Sequence, residues 1–428
     1  MTQPKRSMSR NFLLLWQGQA VSQVGTQLFQ VIAILCLKQA TESATIIGLF
    51  LMAYAIPNVI LGPIGGVLAD RYSRRRILIA GDFFRGVILT LLAIVLGLHA
   101  HSSGLLIGLL LLYSAVEGTV TSLWQPSGIA MIPDLVPSED LSGANSLMQG
   151  SFQICTVIAQ AFAGILFRVL GTPFLMIIDA ASYLYAAISD SLLRLPDAVR
   201  PGTPSLERSK PLRAELFEAL RYVHVRTGMR TVFYTMTLFQ LLMVPMVILF
   251  PFYVDQQLRA GPQWYGFLLA ASGFGSLVGY AVGGGAKVSG EAASRMILVA
   301  TLAMSFLLLS LAAVSNPWIA LWLVGAVGTT SGFNAVRLMT ILQMAIPSEI
   351  RGRVFGVLMT ITQGLAPFAM ALTGVVADLA KRNIAAIYLG CGSAAAILSV
   401  NLIFRRDCRG FLAGQYSSLE TPLTVPGD

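Results

Sequence analysis

Apolar residues along this chain collect into long, nearly unbroken stretches that are separated by short polar segments. Each stretch is long enough for an α-helix to cross about 30 Å of hydrocarbon, which takes about 20 residues at 1.5 Å each. The stretches are continuously apolar, whereas the strands of a membrane β-barrel alternate apolar and polar positions. The pattern predicts twelve membrane-spanning helices, over residues 11–37, 45–68, 77–98, 104–129, 145–168, 173–193, 230–254, 263–285, 296–314, 317–341, 353–378 and 384–404.

The second half of the chain repeats landmarks of the first half in the same order. At an offset of 210 residues Gly118-Thr119 corresponds to Gly328-Thr329, and at an offset of 218 Gly65-Gly66 corresponds to Gly283-Gly284. Such a parallel repeat is typical of transporters whose binding site lies between the halves. The predicted fold is all-α and integral to the membrane, with twelve transmembrane helices in two six-helix pseudo-symmetric halves. Its predicted parts are an N-terminal half (1–193), a cytoplasmic linker (194–229), a C-terminal half (230–404) and a cytoplasmic tail expected to be disordered (405–428).

Composition and charge agree with a chain embedded in lipid. Hydrophobic residues make up 55% of the chain and charged residues 11%, against about 25% charged residues in an ordinary soluble domain. Of the 29 Lys and Arg residues, 22 fall on the side of the predicted membrane that holds the N-terminus and five on the other side. Because short cytoplasmic loops retain positive charge, both termini are expected in the cytoplasm, with the protein in the cell (inner) membrane. The net charge of +9 then follows from topology, so no nucleic-acid partner is expected.

The sequence offers no pattern for catalysis or for a cofactor. It contains neither an HExxH motif nor a phosphate-binding G-x-x-x-x-G-K-S/T loop, and its four cysteines lack CxxC spacing. An enzyme, an ATP-driven pump and a metal site are therefore not expected, and a channel is disfavoured because the two halves differ. A secondary transporter remains, with the lipid bilayer as its surroundings and a small molecule as its substrate.

The loop between the second and third predicted helices carries the most specific motif. It reads Gly66-Val-Leu-Ala-Asp70-Arg71-Tyr-Ser73-Arg74-Arg75-Arg76. This resembles the G-x-L-A-D-R-x-G-R-R/K signature of the major facilitator superfamily, with Ser73 in place of a glycine. The segments 11–25, 133–145 and 347–353 resemble those of its bacterial drug and siderophore exporters, of the enterobactin-exporter and macrolide-efflux type.

The resemblance covers nearly the whole chain, from about residue 11 to 404. It implies a monomer that works by alternating access and exports a small lipophilic or aromatic compound by proton antiport, as drug-resistance transporters do. An importer of a nutrient, or a lysolipid transporter, is the alternative within the same fold.

The loop motif also has a physical interpretation. Small residues such as Gly65 and Gly66 permit close helix approach, and Asp70 is expected at the cytoplasmic end of helix 2, facing the start of helix 11. Unpaired N–H groups and the positive end of the helix dipole attract a carboxylate there. A conformational latch is therefore predicted, which the resemblance implies closes the cytoplasmic side; its residues are Gly66, Asp70, Arg71, Arg74, Arg351 and Arg353. The alternative is that the arginines of the loop only fix topology.

Glu117 is the predicted proton-coupling residue. It falls near the middle of helix 4, where an ionised carboxylate costs roughly 2.5–3.5 kcal/mol on insertion scales. A group that takes up a proton at that depth can couple proton entry to cargo release. The alternative is a protonated Glu117 that hydrogen-bonds a neighbouring helix. Tyr113 and Trp124, four residues before it and seven after it, are predicted to line a cavity on the same face, although aromatic side chains at this spacing also pack between helices.

Polar side chains recur along one face of several other helices. Helix 1 carries glutamines at spacings of four, four and three residues, and helix 5 carries a parallel polar stripe. These amides are expected to face a cavity, with hydrogen bonding between helices as the alternative. For Arg337, snorkelling to the headgroups competes with anion binding. The predicted cavity residues from these stripes and from the second half are Gln19, Gln23, Gln27, Gln153, Asn334, Arg337 and Gln363.

Further charged residues within predicted helices of the first half include Asp82, Arg85 and Asp179. Asp82 and Arg85, three residues apart near the start of helix 3, are interpreted as a structural pair at the membrane edge. Asp179 is deep enough to be a second proton carrier, but the resemblance implies that helix 6 lies outside the cavity. Two features depart from the superfamily's antiporters: helix 5 reads Ala159–Gly164 where a Gly-Pro pair is usual, and helix 4 has no arginine beside Glu117.

Overall fold

The structure is a computed structural model that describes residues 9–98, 103–137, 140–193, 221–285 and 290–414, with all their side chains except those of 70, 142, 348–353, 355–357 and 359–360. No strand occurs among these residues. The helices are α1 (Arg10–Thr41), α2 (Ala44–Arg71), α3 (Arg74–Leu98), α4 (Ser103–Leu135), α5 (Leu141–Leu170), α6 (Thr172–Ser191), α7 (Thr227–Phe252), α8 (Gln263–Gly285), α9 (Gly290–Leu311), α10 (Pro317–Ala345), α11 (Ser348–Leu379), α12 (Ile384–Phe404) and the short α13 (Arg406–Leu412).

Within the described residues, twelve helices are long and apolar enough to cross a membrane, which confirms the predicted number. Several of them extend beyond the apolar runs that predicted them. The helix predicted to end at residue 129 continues to Leu135, across Pro126 and Pro133. Proline has no N–H, so the carbonyl oxygen four residues before it lacks its usual helical hydrogen bond. Membrane helices tolerate proline where groups of a neighbouring helix contact this oxygen.

Gly65 of α2 is such a neighbour. Because Pro126 has no N–H, the carbonyl oxygen of Ser122 lacks its usual helical partner, and Gly65 packs so closely on this oxygen that a Cβ would overlap it. Gly65 and Gly66 were both expected to permit close helix approach. Only Gly65 does so here, because a Cβ added at Gly66 would meet nothing within 4 Å.

The described residues form two compact units. The first contains the residues up to 193 together with Ala260–Ala270, and the second contains residue 221 to Arg259 and the residues from Ala271 onward. In the first unit α2 packs along α4, α3 along α6, and α1 against α5 and α6. In the second unit α9 packs against α10 and α12, and α7 against α11 and α12.

Each unit contains one equivalent close contact between helices. Gly118 of α4 lies against the carbonyl oxygen of Tyr54 in α2, and Gly328 of α10 lies against the carbonyl oxygen of Ser272 in α8. At both glycines a Cβ would overlap the facing oxygen. These are the positions that the sequence offsets of 210 and 218 residues pair with each other. The pseudo-symmetric repeat predicted from the sequence is therefore confirmed in three dimensions.

Candidate functional site

A cavity of about 400 Å³ lies within the first unit and receives side chains from all six of its long helices, α1 to α6. Its volume falls in the range of sites that hold small organic molecules. Aromatic side chains and amides form most of the wall, and the ionisable carboxyl group among the lining residues is that of Glu117.

Glu117 lies in the middle of α4 and is only 8% exposed. Three hydroxyl groups donate to its carboxylate: those of Tyr113 and Tyr183, each at 3.4 Å, and that of Thr121 at 3.3 Å. The Nε atom of Arg85 lies 3.4 Å from its Oε2. An ionised Glu117 is thus surrounded by donors, and a protonated Glu117 has hydroxyl oxygens to which it can donate. The site accommodates both protonation states.

Arg85 reaches Glu117 from the adjacent helix α3 and is only 4% exposed. Its guanidinium carbon lies 5.1 Å from the ring centre of Trp124 and 5.4 Å from that of Tyr183, so two aromatic rings hold it in place. Nη2 donates to Thr121 at 2.8 Å. Arg85 therefore supplies the positive charge that the sequence of helix 4 lacks beside Glu117.

Asp82 belongs to the same cluster. One of its carboxylate oxygens lies 3.6 Å from Nη1 of Arg85, and the other accepts a hydrogen bond of 3.1 Å from the indole of Trp124. The ion pair between Asp82 and Arg85 agrees with the sequence interpretation, but the pair does not stand alone, because Arg85 also contacts Glu117. The signal was present, since charged groups inside a membrane helix usually have a functional role, but their spacing of three residues suggested a local pair.

Helix α6 also contributes to the cavity, contrary to the expectation that it lies outside. Tyr183 lines the wall and shares a 2.8 Å hydrogen bond with the hydroxyl of Thr26 on α1. Asp179, one turn earlier, is buried and accepts from Ser182 at 3.2 Å. Asp179 is not among the residues that line the cavity, although its charge interacts with that of Glu117.

Comparison with known families identifies the chain. The sequence model of a family described as transmembrane secretion effector matches residues 6–421. The chain belongs to this family of major facilitator superfamily transporters. Members of this superfamily are transporters and not enzymes, so the chain is a multi-pass membrane protein that transports small molecules.

Two curated relatives of this transporter are named as efflux proteins. Macrolide efflux protein A of Streptococcus pyogenes is 24% identical over 377 residues, which cover 86% of this chain and 89% of the relative. Multidrug efflux pump Tap of Mycolicibacterium fortuitum is 24% identical over 376 residues, which cover 86% and 88% of the two chains. The resemblance to macrolide-efflux-type exporters is confirmed.

Solved structures confirm the fold of the transporter. A bacterial homologue of the iron transporter ferroportin, in an inward-facing state, superposes with a TM-score of 0.70 at 15% identity, covering 92% of this chain and 99% of that one. The nucleoside transporter NupG gives a TM-score of 0.66 at 12% identity, covering 92% of this chain and 98% of that one. Identities this low support the fold alone.

The amides predicted on α1 lie at the cavity of the transporter. Gln19, Gln23 and Gln27 all line it, as do the predicted aromatic residues Tyr113 and Trp124. Two of the amides also bridge to α5: Gln23 donates to Thr156 at 3.4 Å, and Gln27 accepts from Gln160 at 3.5 Å. These glutamines therefore connect two helices and present polar groups to the cavity. Gln153, predicted beside them, is half-buried on α5 and is not a lining residue.

The three predicted cavity residues of the second half lie in the second unit. Asn334 is buried and donates to Thr301 of α9 at 3.1 Å, a contact between helices of that unit. Arg337 is half-buried, and Gln363 is exposed. Among the described residues none of the three lines the cavity of the first unit.

The structure describes only some side chains of the predicted latch. The side chains of Asp70, Arg351 and Arg353 lie outside the described set. Arg71 is exposed, and Arg74 forms contacts within the first unit. Nη1 of Arg74 lies 2.8 Å from a carboxylate oxygen of Asp134 and donates to the carbonyl of Ala130, also at 2.8 Å. Sequence reasoning missed Asp134 because the predicted helix 4 stopped before it.

Proposed function

We propose that this transporter exports a small lipophilic or aromatic compound in exchange for protons, by alternating access, with Glu117 as the proton carrier. The observation that carries the proposal is the buried Arg85–Glu117 pair on the wall of a ligand-sized cavity. The exporters among its relatives support the direction of transport. The excess of Lys and Arg on one side of the predicted membrane supports cytoplasmic termini in a cell membrane.

The surroundings of Glu117 allow a proton and a cargo molecule to affect each other. When Glu117 is ionised, three hydroxyl groups donate hydrogen bonds to it and the Arg85 guanidinium forms an ion pair with it. When it is protonated, its attraction to Arg85 weakens and these donors become available to other acceptors. Because the same groups line the cavity, a bound cargo meets different donors in the two states. A cargo that prefers one state changes the proton affinity of Glu117 by the factor by which the proton changes the cargo affinity.

The remaining wall of the cavity suits an apolar, ring-containing cargo. Its lining includes the side chains of Phe29, Phe50, Tyr54, Trp124 and Phe152. Aromatic walls bury large flat surfaces, and a few amides fix the orientation of a ligand through hydrogen bonds. A compound with an aromatic body and a few polar groups fits this lining better than a highly hydrated sugar.

Efflux measurements test the proposal. Cells that produce wild type or Glu117→Gln are loaded with a panel of fluorescent lipophilic dyes and aromatic chelators, and loss of fluorescence is followed with and without a protonophore. Glu291→Gln is the matched control, because it makes the same change at an exposed site in the first turn of α9. We expect the protonophore to stop efflux by wild type and by the control, and Glu117→Gln to abolish efflux at a normal membrane level.

Two outcomes contradict the proposal. Efflux by Glu117→Gln at the wild-type rate would exclude Glu117 as the proton carrier. Accumulation of a compound in place of its loss would favour the importer or lysolipid alternative.

A further inference from the structure

Asp82 is a buried carboxylate that contacts the same guanidinium as Glu117 but lies outside the cavity lining. It is 0% exposed, and its Oδ1, which is 3.6 Å from Nη1 of Arg85, has no hydrogen-bond partner. Its Oδ2 is held by the indole N–H of Trp124. Arg85 therefore contacts one carboxylate that lines the cavity, that of Glu117, and a second one that does not, that of Asp82.

The charges of this cluster balance only when one proton is bound. It contains one guanidinium, which stays protonated, and two carboxyl groups, so it is neutral when one of them is protonated. Uncompensated charge at such low exposure is costly. If Glu117 were the only counter-ion, its protonation would leave Arg85 buried without a negative partner, which would oppose proton uptake. Asp82 removes this obstacle because Arg85 keeps a carboxylate in either state.

Other ionisable groups face the cluster from α2, α4 and α6. They are Tyr54 on α2, Tyr113 on α4, and Asp179, Tyr183 and Asp190 on α6, whereas α1 contributes amides and hydroxyls. Asp190 interacts with the charge of Asp82, and Asp179 with that of Glu117. Within the described residues Arg85 is the cation that contacts Asp82 and Glu117.

We propose that Asp82 is the second counter-ion of Arg85, and that Asp82 and Glu117 form one unit which takes up and releases a single proton. This inference rests on the proposed role of Glu117. When Glu117 takes a proton from cavity water, Arg85 pairs more closely with Asp82. When Glu117 returns the proton to cavity water, Arg85 turns back to Glu117. Asp82 is thus a positioning residue: it acts through Arg85, away from the cargo.

Trp124 provides a readout that does not depend on transport. Its indole donates to Asp82 and its ring lies against Arg85, so its fluorescence should change when the cluster binds a proton. The full chain, with the other tryptophans replaced by Phe, is purified in detergent and titrated with acid while the emission of Trp124 is recorded. The replaced residues are Trp16, Trp264, Trp318 and Trp322.

Asp82→Asn should move the fluorescence transition to lower pH by about one unit or more. The asparagine keeps an oxygen for the Trp124 hydrogen bond but leaves Glu117 as the counter-ion of Arg85, which favours its ionised form. Asp82→Glu, which retains the charge, should restore a transition near that of wild type. Arg85→Gln should move it in the opposite direction, to higher pH, and carries the same test if Asp82→Asn is not recovered from the membrane. Glu291→Gln serves as the exposed control.

An unmoved transition in both Asp82→Asn and Arg85→Gln would overturn this inference. The proposed function would then still stand or fall by the efflux of Glu117→Gln. Conversely, normal efflux by Glu117→Gln, together with a shifted transition in Asp82→Asn, would refute proton carriage by Glu117 but support the shared counter-ion.

Discussion

At the scale of single residues, Arg74 shows how one arginine of a basic loop acquires a structural role. Its side chain is 26% exposed and that of Asp134 is 18% exposed, so water screens their ion pair only in part. Nε of Arg74 also donates to the carbonyl of Ala69 at 3.3 Å. One guanidinium therefore connects the end of α2, the start of α3 and the end of α4.

Replacing Arg74 by Gln should destabilise the protein by about 1–3 kcal/mol, since a charged hydrogen-bond donor is lost from partly buried acceptors. Arg76→Gln, at an exposed position in the same first turn of α3, is the matched control and should change stability by less than about 0.5 kcal/mol. The measurement is the midpoint of thermal unfolding in detergent. Equal effects of the two variants would show that Arg74 acts only through its charge in the loop.

At this scale the sequence could predict how deep a residue lies along a membrane-spanning helix. It could not predict how each helix is rotated about its own axis. Glu117 and the glutamines of α1 were found because they interrupt apolar runs at a known distance from the helix ends. The partnership of Arg85 with Glu117 depends on how α3 is turned relative to α4. A helix as apolar as α3 gives little information about that angle, so the long side chain of Arg85 was assigned to its sequence neighbour Asp82.

At the scale of helices, glycine positions determine how closely α2 approaches α4 and α8 approaches α10. In a membrane no hydrophobic effect drives one helix onto another, so dispersion contacts between backbones contribute much of the stabilisation. The contacts of Gly118 with Tyr54 and of Gly328 with Ser272 are of this kind. The sequence revealed the repeat of these glycines, while their partners became known only from the structure.

Gly118→Ala should destabilise the protein by about 1–3 kcal/mol, because the added methyl group would overlap the carbonyl oxygen of Tyr54 and push α2 from α4. Gly108→Ala in the same helix is the control, since a Cβ there meets nothing within 4 Å. Thermal unfolding and the yield of monodisperse protein report the difference. Similar melting temperatures for the two variants would mean that α2 and α4 can separate at little cost.

At the scale of the whole molecule, charge asymmetry predicts which ends of the helices face the cytoplasm. The short connection between α1 and α2 contains Glu42, and the one between α2 and α3 contains Ser73; both residues are exposed. If the N-terminus is in the cytoplasm, α1 crosses the membrane and Glu42 lies on the outer side. The next helix, α2, crosses back, so Ser73 lies on the cytoplasmic side.

Cysteine labelling checks this orientation in intact cells. The four native cysteines, Cys36, Cys155, Cys391 and Cys408, are first replaced by Ser. A membrane-impermeant maleimide should then label Glu42→Cys and leave Ser73→Cys unlabelled until the membrane is permeabilised. The reverse pattern would place both termini outside and would contradict the positive-inside assignment.

The equivalence of Gly118 and Gly328 has an evolutionary consequence. The residue before each glycine is Glu117 in one unit and Val327 in the other, and both are buried. If one ancestral gene gave rise to both copies, both have kept the backbone contact at the glycine. Only one copy has an ionisable residue directly before that glycine. If Glu117 carries the proton as proposed, natural selection acts differently on the two copies: the first must keep its acid–base chemistry, while the interior of the second can diversify without loss of proton coupling.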